Sequence, residues 1–284
     1  MLATATMEER EGIKLAPLLE ISTSLDRLDG QFRFRTPSKS DQGKKEPYIM
    51  ALQLIWHGHG TWSLHTADHK ILIDPFFSSN PMADTTADQI EADTILLTHG
   101  HGDHVGANED GTLDVVEIAK RTGAQVITMV ETATWLSGKG VENATGMNLG
   151  GTLKLPFGSV RMTLALHSNG LPDGTYGGPP AGFVVEAAGR KIYFAGDTSL
   201  FSDMKLIGEL GLDAAVLPIG DFYTMGPEDS IRAVKLLQPT HIIPGHYNTW
   251  PVIAQDIEEW TSKVRHETNA TPHVPKPGQP LSLS

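Results

Sequence analysis

The run Thr98-His99-Gly100-His101-Gly102-Asp103-His104 places three imidazoles and one carboxylate within six consecutive positions. These are the ligand types that borderline divalent cations take. In extended backbone, side chains two positions apart project to the same side, so His99 and His101 can grip one ion. A turn at Gly102 then swings Asp103 and His104 toward a second position nearby. The glycines at 100 and 102 let the backbone pass close to the ions. Three imidazoles crowded against a carboxylate have no evident structural use, so the pattern points to a metal centre.

The composition agrees. The chain has 284 residues, with 34 acidic and 22 basic side chains, 12 histidines and no cysteine. Without cysteine there is no disulfide framework, thiolate zinc finger, iron–sulfur cluster or cysteine nucleophile. Residues 1–49 balance 8 acids against 8 bases, so the net charge of −12 resides in residues 50–284. That balance argues against a nucleic-acid partner, whose phosphates need cationic neutralisation. A small-molecule substrate is the expected partner, and homo-oligomerisation is left open. No run approaches the ~18 apolar residues of a membrane span. The first residues lack a basic region followed by an apolar one, so a cytoplasmic location is expected.

These ligands need a frame to hold them. Residues 1–49 include the polar run 36–47 and read as a largely disordered extension; the folded domain is expected over 50–284. Short strands are expected at Leu52–Trp56, Thr61–Thr66, Lys70–Asp74 and Thr94–Thr98, the last running into the histidine cluster. Helix Leu113–Arg121, strand Gln125–Thr128 and helix Glu131–Ser137 follow. Strands Gly151–Leu155, Val160–His167, Ala181–Glu186 and Lys191–Ala195 come next. Helix Met204–Leu210, strand Ala214–Leu217, helix Glu228–Leu237, strand His241–Ile243 and helix Ile253–Arg265 complete the pattern. Residues 70–74 and 93–98 recur in kind as residues 191–197 and 213–218: a strand ending in an acid, a loop, then a buried strand. Two such halves suggest an α/β fold of two packed sheets with helices outside. This is a four-layer αββα sandwich with the site along the shared edge.

A histidine-x-histidine-x-aspartate-histidine run after an apolar strand resembles the signature of the metallo-β-lactamase superfamily. Residues 98–106, 180–183, 195–198, 217–220, 225–229 and 246–251 further resemble its uncharacterised metal-dependent hydrolase branch. The chain is more distantly similar to ascorbate-phosphate lactonases and N-acylphosphatidylethanolamine phospholipases D. The resemblance covers residues 50–265 and implies the metallo-β-lactamase fold. It further implies that His99, His101 and His167 hold one ion, that Asp103, His104 and His246 hold a second, and that Asp197 joins both. Asp103, Asp197 and His246 carry the catalytic roles in this reading. His59, Asp74, Tyr176, Asp221 and Glu228 are candidates to steady a ligand or to touch substrate. For Glu228 an ordinary acidic first turn of a helix explains the residue equally well. The glycine-rich segment 170–182 reads as a mobile loop.

Two divalent ions can share a water and lower its pKa toward neutrality. The expected activity is metal-dependent hydrolysis of an ester, lactone or phosphodiester through a dinuclear centre. Zinc is the first candidate, with manganese, nickel and iron admitted by the ligand types. A glyoxalase II-type thioesterase and a non-catalytic metal-binding or regulatory scaffold are the alternatives. Cysteine-dependent β-lactamase subclasses are disfavoured by the missing ligand, and nucleases by the charge.

Overall fold

The computed structural model of the protein describes residues 52–283 and the backbone of one short antiparallel pair, β1 (Arg27–Leu28) with β2 (Gln31–Phe32). The extension expected over 1–49 otherwise lies outside the described residues. The chain divides into two units, Met1–Tyr48 and Ile49–Ser284, and the histidine run lies in the second. Among the described residues no helix is long and apolar enough to cross a membrane.

The second unit contains two seven-stranded sheets. In the first, β3 (Gln53–Trp56), β4 (Trp62–His65) and β5 (Lys70–Ile73) form an antiparallel meander. The sheet continues in parallel through β6 (Thr94–Leu96), β7 (Gln125–Met129) and β8 (Ala144–Met147). The second repeats the plan. Strands β9 (Thr152–Leu155), β10 (Gly158–Leu164), β11 (Ala181–Ala187) and β12 (Arg190–Phe194) are antiparallel. Strands β13 (Ala214–Pro218), β14 (His241–Gly245) and β15 (Thr271–Pro272) then run parallel. The last strand, β16 (Pro280–Ser282), returns to the first sheet and pairs with β3.

The repeat read in the sequence is therefore a repeat in space. β5 and β12 are each the last antiparallel strand, and each pairs in parallel with the strand that follows. The base of each unit is closed the same way: the Lys70 amide donates to Asp93 Oδ2 and the Lys191 amide to Asp213 Oδ2, both at 2.8 Å. Period-two alternation sorts each strand between two cores. Ile71, Ile73, Leu96 and Ile127 join the core between the sheets, with Phe183, Phe194 and Val216. Leu72, Ile95 and Val126 face outward, where α2 (Asp114–Thr122) covers them with Val115 and Ile118 and α3 (Val130–Gly138) adds Leu136. Helices α5 (Pro227–Leu237) and α6 (Ile257–Glu267) contribute Ile231, Val234, Trp260 and Val264 to the cluster of the second sheet. The result is the four-layer αββα sandwich. Truncating one such side chain, Ile118 for instance, costs about 2–5 kcal/mol.

Some boundaries differ from expectation. α6 starts four residues beyond Ile253, because the Asp256 carboxylate accepts from the amides of Glu258 and Glu259 and so caps the helix there; Pro251–Ile253 forms a separate 3-10 turn. β10 ends at Leu164, which leaves His167 beyond the strand rather than at its end. Strands β8, β15 and β16 are additions to the expected set. They lie at sheet edges, where pairing comes from a distant segment rather than from local alternation. A short helix, α1 (Gly102–Val105), forms within the histidine run itself.

Candidate metal centre

The parallel strands β5, β6, β12, β13 and β14 end at one common edge, and there the chain turns out of the sheets. β6 leads into His99 and His101, after which α1 lifts Asp103 and His104. Glycine is required around this turn. A Cβ at Gly106, where φ is +68°, would lie 2.4 Å from Asp114 Cβ, and one at Gly100 would lie 2.2 Å from Leu171 Cδ2. Gly196 likewise has φ +61° and no room beside Thr98, which fixes how Asp197 leaves β12. His246 follows β14 with φ +51°, and its amide donates to the His59 carbonyl at 3.0 Å. That bond ties the last ligand candidate of the second sheet to the first.

Two sets of donor atoms converge around Asp197. On one side His99 Nε2 lies 3.1 Å from His101 Nδ1, which lies 3.3 Å from His167 Nε2. Asp197 Oδ2 is 3.6 Å from His167 Nε2 and 4.0 Å from His99 Nε2. Nitrogens at the corners of a tetrahedron with metal–nitrogen bonds of about 2.0–2.1 Å stand about 3.3–3.4 Å apart, so this set fits an ion. On the other side His104 Nε2 is 3.4 Å from Asp197 Oδ1, and His246 Nε2 is 3.1 Å from Asp197 Oδ2 and 3.7 Å from Asp103 Oδ2. Both Nε2 atoms are buried and lack an aligned hydrogen-bond partner. Buried polar atoms are nearly always paired, so two orphans beside carboxylates mark atoms arranged to coordinate. These His and Asp clusters can bind metal.

Distance alone also gathers His59 into the second set. Its bonding sets it apart. His59 Nδ1 pairs with Thr249 Oγ1 at 2.8 Å and Nε2 with Asp103 Oδ2 at 3.0 Å, so neither nitrogen is free. It is wholly buried and cannot reach a substrate; it steadies Asp103. Asp74 plays the matching part for His104, with Oδ2 2.9 Å from His104 Nδ1. Asp74 itself accepts from the Thr98 amide at 2.7 Å and from Thr98 Oγ1 at 2.6 Å. An imidazole anchored in this way presents its other nitrogen in a fixed tautomer and direction.

The protonation pattern follows the two sides. Burial holds His99, His101 and His167 below the ordinary imidazole value, hence neutral, as a ligand must be. Burial acts in the same sense on His104 and His246, but the Asp197 carboxylate reverses it. His104, which also faces Asp74, is held well above its ordinary value, and His246 is raised to about 9. Burial pushes Asp103 and Asp197 up, yet the surrounding histidines outweigh it and hold both far below the usual carboxylate range. His59 is pushed down to about 4, first by burial and then by the His246 charge.

The other candidates do not join this cluster. Glu228 is exposed on the first turn of α5 and forms an ion pair with Lys263 of α6. Asp221 is an exposed loop residue at φ +61°, packed beside Gly226. Tyr176 is exposed on a hairpin. Hydrogen bonds tie that hairpin to the turn at Gly100. The amide of Gly177 donates to the Asn169 carbonyl at 2.9 Å, and Leu171 is buried. Asn169 is absent from the sequence-based candidates, yet its Oδ1 accepts from the Gly100 amide at 2.7 Å, between His99 and His101, while its Nδ2 donates to the Gly177 carbonyl. No local pattern distinguishes it from any loop asparagine. A second unexpected network joins His57 to Asp84 and Ser63, each at 2.7 Å, and braces the segment after β5.

A family profile described as "Beta-lactamase superfamily domain" matches residues 69–247, which include all seven candidate ligands. A UPF0173 metal-dependent hydrolase of Thermus thermophilus is 47% identical over 232 residues, covering 82% of this chain and 99% of the relative. One from Bacillus thuringiensis is 45% identical over 238 residues, covering 82% of this chain and the whole of the relative. Among solved structures, Igni18, described as a novel metallo hydrolase of the archaeon Ignicoccus hospitalis, matches with a TM-score of 0.73 and 35% identity, covering 82% of this chain and 99% of its own.

Proposed function

Because the chain belongs to the UPF0173 metal-dependent hydrolases of the beta-lactamase superfamily, we propose that it hydrolyses an ester, lactone or phosphodiester with two divalent ions held at the shared sheet edge. His99, His101 and His167 would hold one ion, and Asp103, His104 and His246 the other, with Asp197 common to both. Zinc is the first candidate, then manganese, nickel or iron. The observation that carries this reading is the convergence of two imidazole sets on one buried carboxylate, with the buried Nε2 atoms of His104 and His246 left without an aligned partner. When bound, such a pair of ions acidifies a water and polarises the acceptor oxygen.

The chain's own residues prepare that chemistry. Burial keeps the first three histidines neutral, and Asp74 and Asn169 hold His104 and the Gly100 turn in place. Asp197 is ionised and almost wholly buried, so its position is set by protein packing. Asp103 is the more open of the two carboxylates, with 29% of its side chain exposed. In hydrolysis of an ester the water oxygen joins the acyl carbon, the acyl–oxygen bond breaks, and the leaving alkoxide takes up a proton. No serine or cysteine nucleophile is needed.

Elemental analysis of the purified protein, combined with lactone, ester, thioester and phosphodiester substrates, tests this directly. Two metal equivalents and turnover of an ester, lactone or phosphodiester are expected. His101→Ala and Asp197→Ala should lose metal and turnover together, while His266→Ala, on the exposed face of α6, should keep both. Thioester turnover alone would point to the glyoxalase II-type alternative. Two metals without turnover of any class would point to a scaffold.

A further inference from the structure

The segments at the ligand-bearing edge are 57–61, 74–84, 98–113, 165–180, 195–203, 219–226 and 246–256. Together they contain ten Asp or Glu residues and no Lys or Arg; all 14 basic residues of 50–284 lie elsewhere. Outside the histidine cluster itself, a substrate with its own negative charges would meet no cationic side chain on these segments and several carboxylates. Clefts lined with one sign of charge concentrate ligands of the other sign and repel their own.

The same segments expose apolar side chains. Eight large apolar residues are exposed among the described residues, and five of them are Leu166, Tyr176, Phe222, Tyr223 and Val252 on these connections. Phe222 is 71% exposed and Tyr223 55%. Their loop is anchored to the ligands. The Met225 amide donates to the Thr198 carbonyl at 2.9 Å, next to Asp197, and the Leu166 amide donates to Thr198 Oγ1 at 3.0 Å, next to His167. Gly220 packs so closely on the His246 carbonyl that a Cβ there would stand 2.3 Å away. Asp221 and Phe222 hold φ of +61° and +36°, and for a bulky aromatic residue such a backbone is strained. Strain that keeps an aromatic ring in water beside a reactive centre is retained when the ring has work there. The Phe222 and Tyr223 rings pack edge to face with centroids 4.8 Å apart, and an exposed apolar patch rimmed by polar residues marks a binding surface.

We infer that the site takes an uncharged carboxylic ester or lactone with an apolar arm, which lies against Leu166, Phe222 and Tyr223 while the carbonyl meets the histidine cluster. This rests on the hydrolase reading for the reaction and on the loops alone for the binding preference, so the two can be tested apart.

The metal-loaded full chain is assayed with p-nitrophenyl acetate, butyrate and octanoate and with bis(p-nitrophenyl) phosphate. In parallel, the unreactive ketones 2-butanone and 2-octanone are titrated while the Leu166 methyl resonances are followed by NMR. Turnover of the esters above the phosphate is expected, with kcat/KM rising about two- to fourfold per methylene. 2-Octanone should bind more tightly than 2-butanone and shift the Leu166 methyls. F222S/Y223S should flatten both dependences, whereas L206S, an exposed apolar change on α4 (Met204–Gly208), should preserve them. Ketone binding with this chain-length order but no ester turnover would uphold the apolar site and remove the hydrolytic reading. Three results would overturn the inference: faster turnover of the phosphate diester, equal affinity for the two ketones, or binding to phosphatidylcholine vesicles through Phe222 and Tyr223 without ketone binding.

Discussion

Asp74 and Asp197 stand at corresponding places in the two halves, each just past the last antiparallel strand of its sheet and before a parallel neighbour. Both are buried. Their surroundings differ. The first half gives Asp74 an amide, a hydroxyl and one imidazole nitrogen, so its oxygens are engaged by protein donors. Asp197 instead faces imidazole nitrogens from both halves at 3.1 to 4.0 Å, two of which, on His104 and His246, lack aligned partners. One repeated position thus serves as a brace in one sheet and as the meeting point of two donor sets in the other. What separates the roles is whether Thr98 is there to donate.

Asp197→Ala should break the comparison most completely. Metal content is expected to fall toward none and hydrolysis to vanish, read by elemental analysis and by assay of the same preparation. Asp74→Ala should leave the candidate ligands present but His104 unoriented. Metal affinity is expected to fall about 10–100-fold by competition with a chelator, the usual cost of losing a carboxylate behind a ligand imidazole. If both variants lost metal equally, the distinction between brace and meeting point would be gone.

The charge around Asp197 should also appear in the pH dependence of the metal-free protein. His246 binds its proton more tightly folded, at about 9, than unfolded, at about 6.5. Its contribution to stability is therefore complete below pH 6.5 and is lost as pH rises through 9. Thermal melts of the metal-free chain should fall across that window. Metal should reverse the trend, because binding requires the neutral imidazole and gains as protons leave. A metal-free melting curve flat from pH 6.5 to 9 would remove the proton from His246.

Smaller effects lie further from the shared carboxylate. Asn169→Ala leaves the Gly100 amide without its acceptor and should cost about 1–3 kcal/mol in chemical denaturation. The smallest change is expected at the opposite end of the sheets. Asp93→Ala and Asp213→Ala each remove the acceptor for a lysine amide, and each should cost about 0.5–1.5 kcal/mol without altering metal content. Asp213→Ala also removes the part-exposed Arg190 ion pair, worth about 0–1 kcal/mol, so it should cost slightly more than Asp93→Ala; a larger cost at Asp93 would break the equivalence of the two bases.

Much of this fold and site is legible in the residues, for reasons that differ from one residue to another. His99, His101, Asp103 and His104 can be read directly, since their geometry is local. The strand pairs that form the repeat are also local, and their alternation sorts them into layers. His167, Asp197 and His246 become visible only through a family resemblance, since a histidine or aspartate after a strand is otherwise unremarkable. Glu228 is a fair candidate by position, yet α6 brings Lys263 against it and turns it into a surface ion pair. The segment that reads as a mobile loop is fastened by Asn169, which no spacing rule singles out.

By itself the sequence determined the ligand types, the αββα plan and an acidic, cysteine-free chain suited to nitrogen and oxygen coordination. The packing of the two sheets settles which carboxylate braces and which one the imidazoles share, and that His59 supports Asp103 while its nitrogens are occupied. It also settles that the aromatic residues of the 219–226 segment stand in solvent on a loop bonded to the site. The reason is physical: identical side chains acquire different roles from the donors packed against them, and those donors come from strands far apart in the chain that meet only when the two sheets close.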